Sequence, residues 1–400
     1  MSSRSHRSPR FLVLSLGAIL VLALGILVGG HPGWLPSPLR SVFVADSGND
    51  LVNQAMDILS RDYYRPLSSG TLADKSIAGA IAGLNDPYSQ YYNPADYRSF
   101  MSESDPHLSG VGIDVEPIRQ GLRIVEVFPD SPAARAGLTG GDLVVGVGSV
   151  SLVGRPQDFG SRLIKGPAGT PVTLVVQSGR VRRKLTIKRA NIVVPVAAGE
   201  LASARGVKVG VVRLARFTDG AGAEVRDQVQ KVLHQGARAI VLDLRSNGGG
   251  LLDEAVNVAS IFIPDGTIVS TEGRSQPRQV YVARGGAISA AVPVVVLVDK
   301  GTASSAEIVT AALRDRRGAK VVGTRTYGKG VFQELQTLSN GGALEIVTGR
   351  WFEPSGRNVG GPGVTQGTGI QPDLRVVDDP HVRADRALTV AEQAVASQAR

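Results

Sequence analysis

Ala291-Val-Pro-Val-Val-Val-Leu-Val298 is an apolar, β-branched run without polar alternation, and it restricts the fold more than any other stretch. A strand that offers apolar side chains to both faces needs cover on both, which a largely parallel sheet flanked by helices supplies. Asp299-Lys-Gly-Thr-Ala-Ser304-Ser305-Ala306-Glu307 follows, and Ile308 to Asp315 then carries helix formers with apolar residues at helical spacing. The two serines therefore fall at a strand-to-helix turn. Free backbone N–H groups and the positive end of a helix dipole suit a reaction that develops an oxyanion there. The same residues, Ser304-x-x-Glu307, also read as a capping box.

A reactive serine needs a base, and composition narrows the choice. The chain has no cysteine, and its histidines (His6, His31, His107, His234 and His381) lie at the N-terminus, in apparent loops, late in a surface-patterned helix and near the C-terminus. That scatter argues against a Ser-His-Asp triad. Lysine is the remaining strong base, and Lys329 lies in a Gly-flanked loop after a second predicted strand, Ala319 to Thr324. To act near neutral pH, its pKa must fall by roughly 3 units from ~10.4, a differential cost of about 4 kcal/mol. Desolvated lysines do activate hydroxyl nucleophiles. Gln333 stands four residues on, an offset that puts it on the same face as Lys329 in a strand or a helix, with an amide oxygen to hold the amine. Alone, Lys329 reads as a solvated charge and Gln333 as a strand residue. Gly323 to Gly330 approaches a phosphate-loop pattern, but glycine follows the lysine where Ser or Thr is needed to hold Mg²⁺.

Gly301-Thr-Ala-Ser304-Ser-Ala-Glu307, Gly328-Lys329-Gly-Val-Phe-Gln333 and the 25-residue step from serine to lysine resemble the carboxy-terminal processing peptidases, or tail-specific proteases, which are Ser/Lys endopeptidases. The resemblance implies Ser304 as nucleophile, Lys329 as general base and Gln333 as the residue that orients it. The family usually has alanine where this chain has Ser305, so a second hydroxyl stands beside the nucleophile. Asp243-Leu-Arg-Ser-Asn-Gly248-Gly249-Gly250-Leu-Leu252 is similar to the family segment that supplies one oxyanion donor. By position the donors are the N–H groups of Gly250 and Ser305. On its own the segment is a Gly-rich helix-entry turn.

A second resemblance covers residues 105–190. Ser109-Gly110-Val111-Gly112-Ile113, Ser131-Pro-Ala-Ala-Arg-Ala-Gly-Leu138 and Gly141-Asp-Leu-Val-Val, set among short predicted strands, resemble a PDZ domain. In that family a Gly-Φ-Gly-Φ loop, here Gly110, Val111, Gly112 and Ile113, presents backbone N–H groups to a terminal carboxylate, and the next strand pairs with the bound peptide.

The rest of the chain fits around these parts. Residues 11–30 are uncharged and long enough to span a bilayer, and Arg4, Arg7 and Arg10 precede them. No small-residue cleavage site directly follows, which favours an uncleaved signal anchor (1–30) and an extracytoplasmic remainder, periplasmic or extracellular, or secreted if the segment is cut. A tether (31–48) leads to an N-terminal helical region (49–104), in which Leu84 to Pro94 resembles a family segment and reads as packing. After the PDZ domain come a peptidase core (191–377), in which Val207 to Leu214, a helix from Ala221 to Gln235 and Ala237 to Leu244 suggest a crossover unit, and a C-terminal helix (378–400). Gly361 to Gln366 looks like extra loop. The net charge of +9 is spread along the 400 residues and lacks aromatic interleaving, so a nucleic-acid partner is not expected.

The expected fold is multidomain α/β: an N-terminal membrane anchor and helical segment, a β-rich PDZ domain and an α/β protease core of the tail-specific type. The expected function is a serine endopeptidase that needs no metal or other cofactor and acts on protein substrates with apolar C-terminal tails. The alternative is a non-catalytic tail-binding protein on an inactive peptidase scaffold. A regulatory or adaptor protein and further copies of the chain stay open as partners.

Overall fold

The computed structural model describes residues 48–104, 107–155, 157–361, 367–377 and 384–399, with Val21 and Gly25 before them. The expected signal anchor at 1–30, apart from those two positions, the tether at 31–48 up to its last residue and the extra loop Gly361 to Gln366 after its first residue lie outside the described residues, as do residues 378–383. Among the described residues no helix is long and apolar enough to cross a membrane. The chain divides into two compact units between Ala80 and Ile81.

The first unit holds helix α1 (Gly48–Asp62) and most of α2 (Ser69–Ala82). Ser76 Oγ donates to Met56 Sδ at 2.9 Å between them, while Leu51, Val52, Ile58 and Leu59 on α1 stay exposed.

The second unit begins with β1 (Gln90–Tyr92) and α3 (Pro94–Ser104). The region expected to be a PDZ domain follows as β2 (His107–Gly110), β3 (Ile113–Ile118), β4 (Gly121–Val127), α4 (Pro132–Arg135), β5 (Leu143–Val147), β6 (Val150–Ser151), α5 (Gln157–Ile164), β7 (Pro171–Ser178), β8 (Val181–Lys188) and β9 (Ala190–Val193). Strands β3, β4, β5, β7 and β8 form one antiparallel sheet, with β6 paired to β5, and β2 pairs with β9. Val111, Leu122, Ile124, Val144, Leu174 and Val176 fill the core beneath it. Strand β8, with its basic residues, lies at the sheet edge, as its polar alternation suggests.

Two further sheets make the core of this unit. The first runs β10 (Ala197–Ala204), β11 (Val207–Leu214), β12 (Ala239–Asp243), β15 (Val294–Val298), β16 (Lys320–Gly323) and β19 (Leu374–Arg375). From β11 onward the neighbours are parallel, and only β10 runs against them. Strands β12 and β15 are buried at every position because helices cover both faces. On one side α6 (Ala221–His234), α7 (Leu252–Ser260) and α8 (Ser305–Arg317) meet Val212, Ile240, Leu242, Val294 and Val296. On the other, α9 (Arg386–Ala396) packs Ala387, Ala391 and Val395 against Val209, Val241 and Val295. At about 25 cal/mol per Å² of apolar surface, this double burial is the main stabilising term of the sheet. The second sheet is antiparallel, with order β1, β18 (Ala343–Phe352), β13 (Thr267–Gly273) and β14 (Gln279–Val282), and β17 (Val331–Thr337) paired along β18. Strand β1 lies inside the stretch expected to be helical. Its three residues are too few to show a period, and its pairing with Ala343 to Glu345 is non-local.

Candidate active site

The turns after β12 and β15 leave neighbouring parallel strands at the same end of the sheet, where open α/β sheets form binding crevices. Hydrogen bonds stitch one turn to the other. Asp299 Oδ1 accepts from Ser246 N–H at 2.8 Å, Ala303 N–H donates to the Asn247 carbonyl at 2.9 Å, and Thr302 Oγ1 donates to the Leu244 carbonyl at 2.8 Å. Asn247, fully buried, donates from Nδ2 to the Leu214 carbonyl at 2.8 Å and accepts from Gly249 N–H at 2.9 Å. The base of the first turn is held by Arg245, which bonds Asp243 at 2.7 Å and Asp385 at 2.9 Å.

Ser304 is the N-cap of α8 and has φ 53° and ψ −118°. A non-glycine residue in that region costs on the order of 1–3 kcal/mol and persists where its surroundings fix it. Here they do, because Glu307 Oε2 accepts from Ser304 N–H at 2.9 Å. Ser305 differs from its neighbour. It is 2% exposed, and its Oγ donates to the Gly250 carbonyl at 2.8 Å; both serines line a cavity of about 710 Å³ together with Gly250, Lys329 and Gln333.

Glycine is required where the two turns meet. A Cβ on Gly249 would stand 2.8 Å from Ser304 Cβ, and one on Gly250, at φ 145°, would stand 2.3 Å from the Phe217 carbonyl oxygen. Phe217 pairs with this loop through Phe217 N–H to the Gly249 carbonyl (3.1 Å) and Leu251 N–H to the Phe217 carbonyl (2.8 Å). The N–H groups of Gly250 and Ser305 have no acceptor among the described residues, so both amides remain available at the cavity.

Lys329 sits in the loop between β16 and β17, and its main chain is strongly anchored. Trp351 Nε1 donates to the Lys329 carbonyl at 2.7 Å, Tyr327 N–H donates to the Thr302 carbonyl at 2.9 Å, and Asn358 Nδ2 donates to the Gly330 carbonyl at 2.7 Å. Burial lowers the pKa of the amine below the ordinary lysine value, against the opposing pull of Glu345, Asp86 and Glu307. The same loop, read as a near-match to a phosphate loop, runs into strand β17 and provides no helix N-terminus for a phosphate.

Glu307 joins the two turns to the lysine loop. It is fully buried. Oε2 accepts from the N–H groups of Ser304 and Lys329, both at 2.9 Å, and Oε1 accepts from Thr326 Oγ1 at 2.5 Å and Gly328 N–H at 2.7 Å. Burial pushes its pKa upward, yet all four partners are donors, the arrangement an ionised carboxylate accepts. From sequence Glu307 reads as a helix cap. Its reach to the Lys329 loop, 22 residues away, leaves no local signal.

The sequence-predicted residues Ser304, Ser305, Gly250, Lys329 and Gln333 all line this one cavity. The periodicity used to group Gln333 with Lys329 does not apply, because Lys329 precedes the strand and a bulge falls between Phe332 and Gln333. Gln333 Nε2 donates to the Tyr88 carbonyl at 3.3 Å, which leaves Oε1 as the remaining acceptor of the amide.

The PDZ loop forms a separate site. Gly110 ends β2, Val111 turns its side chain into the core at 1% exposure, Gly112 has φ 83°, and Ile113 starts β3. The Val111 carbonyl accepts from Ala133 N–H at 2.8 Å and the Gly112 carbonyl from Phe128 N–H at 3.1 Å. The loop edges a small cavity of about 50 Å³ with Phe128, Ile164 and Lys165.

With the geometry in place, comparison with known proteins identifies the group. Residues 208–376 match the model of peptidase family S41, and residues 123–178 match that of a PDZ domain. A "Probable CtpA-like serine protease" of Staphylococcus haemolyticus is 33% identical over 371 residues, 92% of this chain and 72% of that protein. The chain belongs to peptidase family S41. A protein of the same description from Staphylococcus epidermidis is 33% identical over 320 residues, 80% of this chain, although the match spans only 63% of that relative's length. Among solved S41-like structures, a photosystem II D1 C-terminal processing protease is 26% identical, covers 88% of this chain and 94% of its own, and superposes with a TM-score of 0.52. This S41 chain is thus a serine-type peptidase that carries a PDZ domain.

Proposed function

We propose that this S41 peptidase is an endopeptidase that receives the C-terminal tails of protein substrates at its PDZ loop and cleaves them with a Ser304/Lys329 dyad. One observation carries the reading. Ser304, strained at a helix N-terminus, and Lys329, with a burial-lowered pKa, line one cavity and are tied to the same Glu307 oxygen. Lys329 takes the Ser304 proton, Ser304 Oγ attacks the peptide carbonyl, and the amides of Gly250 and Ser305 stabilise the oxyanion. Protonated Lys329 then returns the proton to the leaving amine, and a water repeats the cycle to release the acyl group. Gln333, fixed through its Nε2, orients the amine. Ser305, its hydroxyl committed to Gly250, contributes its N–H.

Tail capture by Gly110 to Ile113 is supported by the Gly-Φ-Gly-Φ pattern and by the name of the C-terminal processing relative. Apolar residues at the cavity wall, Phe217, Leu252, Ile308 and Phe332, favour apolar substrate side chains. The apolar run at 11–30 behind three arginines supports a tether at the cell membrane, with the peptidase on its outer side.

The test is cleavage of an unfolded protein bearing an apolar C-terminal tail by the full-length chain, Ser304→Ala and Lys329→Ala, from about pH 6 to about pH 10. Wild-type rate should rise through a single pKa below the ordinary lysine value, and both variants should be inactive throughout. Activity surviving in both would assign the chemistry to other residues.

A further inference from the structure

The segment Leu84 to Pro94, read from sequence as packing, reaches the lysine side of the site. Asp86 Oδ1 accepts from Tyr88 N–H at 2.9 Å, and Asp86 Oδ2 accepts from Ser89 Oγ at 2.5 Å. Ser89 Oγ accepts in turn from Val347 N–H at 3.0 Å, and Gln90 to Tyr92 then pair with β18 as β1. This turn, stiffened by Pro87, closed on itself through Asp86 and pinned to β18 at its far end, carries Tyr88 to Lys329. The ring centroid lies 5.1 Å from Lys329 Nζ, the carbonyl accepts from Gln333 Nε2 at 3.3 Å, and the hydroxyl donates to Tyr327 Oη at 3.4 Å. One residue therefore touches the amine and fixes the amide beside it.

We propose that Tyr88 is a positioning residue of this peptidase, whose ring roofs the Lys329 amine against water and whose carbonyl holds Gln333 in the orientation that presents Oε1. The inference rests on Lys329 being the base. An aromatic face attracts an ammonium ion, which favours the protonated amine, whereas exclusion of water favours the neutral one. The surroundings decide between them. The charged groups around Lys329 are Glu345 on β18, Asp86 in the turn before β1 and Glu307 on α8, all acidic and all raising its pKa, so burial alone lowers it. Tyr88 and Tyr327 are the phenols of the same corner, and the Tyr88 hydroxyl is itself pushed above its ordinary pKa, first by burial. Removing the ring takes away part of the burial that holds the amine below its ordinary pKa.

The experiment measures kcat and KM against pH for the full-length chain carrying Tyr88→Phe, Tyr88→Leu or Tyr88→Ala, with Lys329→Ala alongside. Tyr88→Leu and Tyr88→Ala should move the kcat limb upward by roughly one pH unit, a loss of about tenfold near neutrality that recovers at higher pH. KM should stay put, and Tyr88→Phe should keep the wild-type limb. Tyr88→Leu decides if Tyr88→Ala does not fold. A uniform drop in rate at every pH, an unmoved limb or a downward shift would overturn the proposal. An active Lys329→Ala would instead remove the lysine reading beneath it, whereas an inactive Lys329→Ala with an unmoved limb in the Tyr88 variants would sink the role of Tyr88 alone.

Discussion

The proposed acyl side of the site and its proposed proton side are built in opposite ways. Ser304, Ser305 and Gly250 ride on the turns after two adjacent parallel strands whose residues are buried on both faces. Lys329, Gln333 and Tyr88 belong instead to a loop, an edge strand and a short turn gathered around β18 of the antiparallel sheet. The first side inherits its geometry from the sheet. The second is tethered, through Trp351, Asn358 and Ser89. Glu307 Oε2, which accepts from both Ser304 and Lys329, is where the two meet. A nucleophile must hold one strained conformation, which a rigid sheet enforces, whereas a base must have its pKa set, which depends on how tightly its cover closes.

After loss of Ser304 itself, the most severe break in the acyl side is Gly250→Ala. At φ 145° the added methyl would meet the Phe217 carbonyl oxygen at 2.3 Å, so the loop must shift and carry the Gly250 N–H with it. Loss of one oxyanion donor lowers kcat by on the order of 10²- to 10³-fold with little change in KM. A rate within a few-fold of wild type would take Gly250 out of the acyl side.

Glu307→Gln attacks the join. With its NH₂ toward Ser304 and Lys329 the amide faces two N–H donors, and turned round it meets the Gly328 N–H and a Thr326 hydroxyl that must rotate to accept, so about 1–3 kcal/mol of stability should be lost. Because the Ser304 and Lys329 amides share one oxygen, their relative placement should also loosen, at a cost on the order of 10²-fold in kcat. A drop in Tm with unchanged kcat would show that the two sides hold their positions independently.

The same contrast explains what could be read from sequence. The parallel sheet was legible because double burial writes an unbroken apolar run, as in Val294 to Val298, and because its crossover helices are long enough to show a period. Ser304 and the Gly249-Gly250 turn were legible through motif, and the strands and helix of residues 207–244 through local pattern. The proton side was less so. Gln333 is legible through the motif it shares with Lys329 and lines the cavity, whereas the offset that groups the two is invalidated by a bulge and an irregular loop. Tyr88 and Glu307 act through partners far along the chain, Lys329 and Val347 for the first segment and residues 326 to 329 for the second. No spacing rule reports such contacts, so both residues looked like packing and capping.

Ser305→Ala should have the smallest effect and gives the sharpest contrast with Tyr88→Ala. It deletes the bond from Ser305 Oγ to the Gly250 carbonyl, worth about 1 kcal/mol. The loop keeps its two bonds to Phe217 and the Asn247 contact, and alanine is the residue the resemblance leads one to expect here. The rate should therefore fall by only about fivefold, and by the same factor at every pH, because the Ser305 hydroxyl bonds to no lysine-side group among the described residues. Combined with Tyr88→Ala, the two losses should multiply, as they do for independent sites. A shifted pH limb in Ser305→Ala, or a double variant far from the product, would mean that the two sides of the site move together and that Glu307 transmits between them.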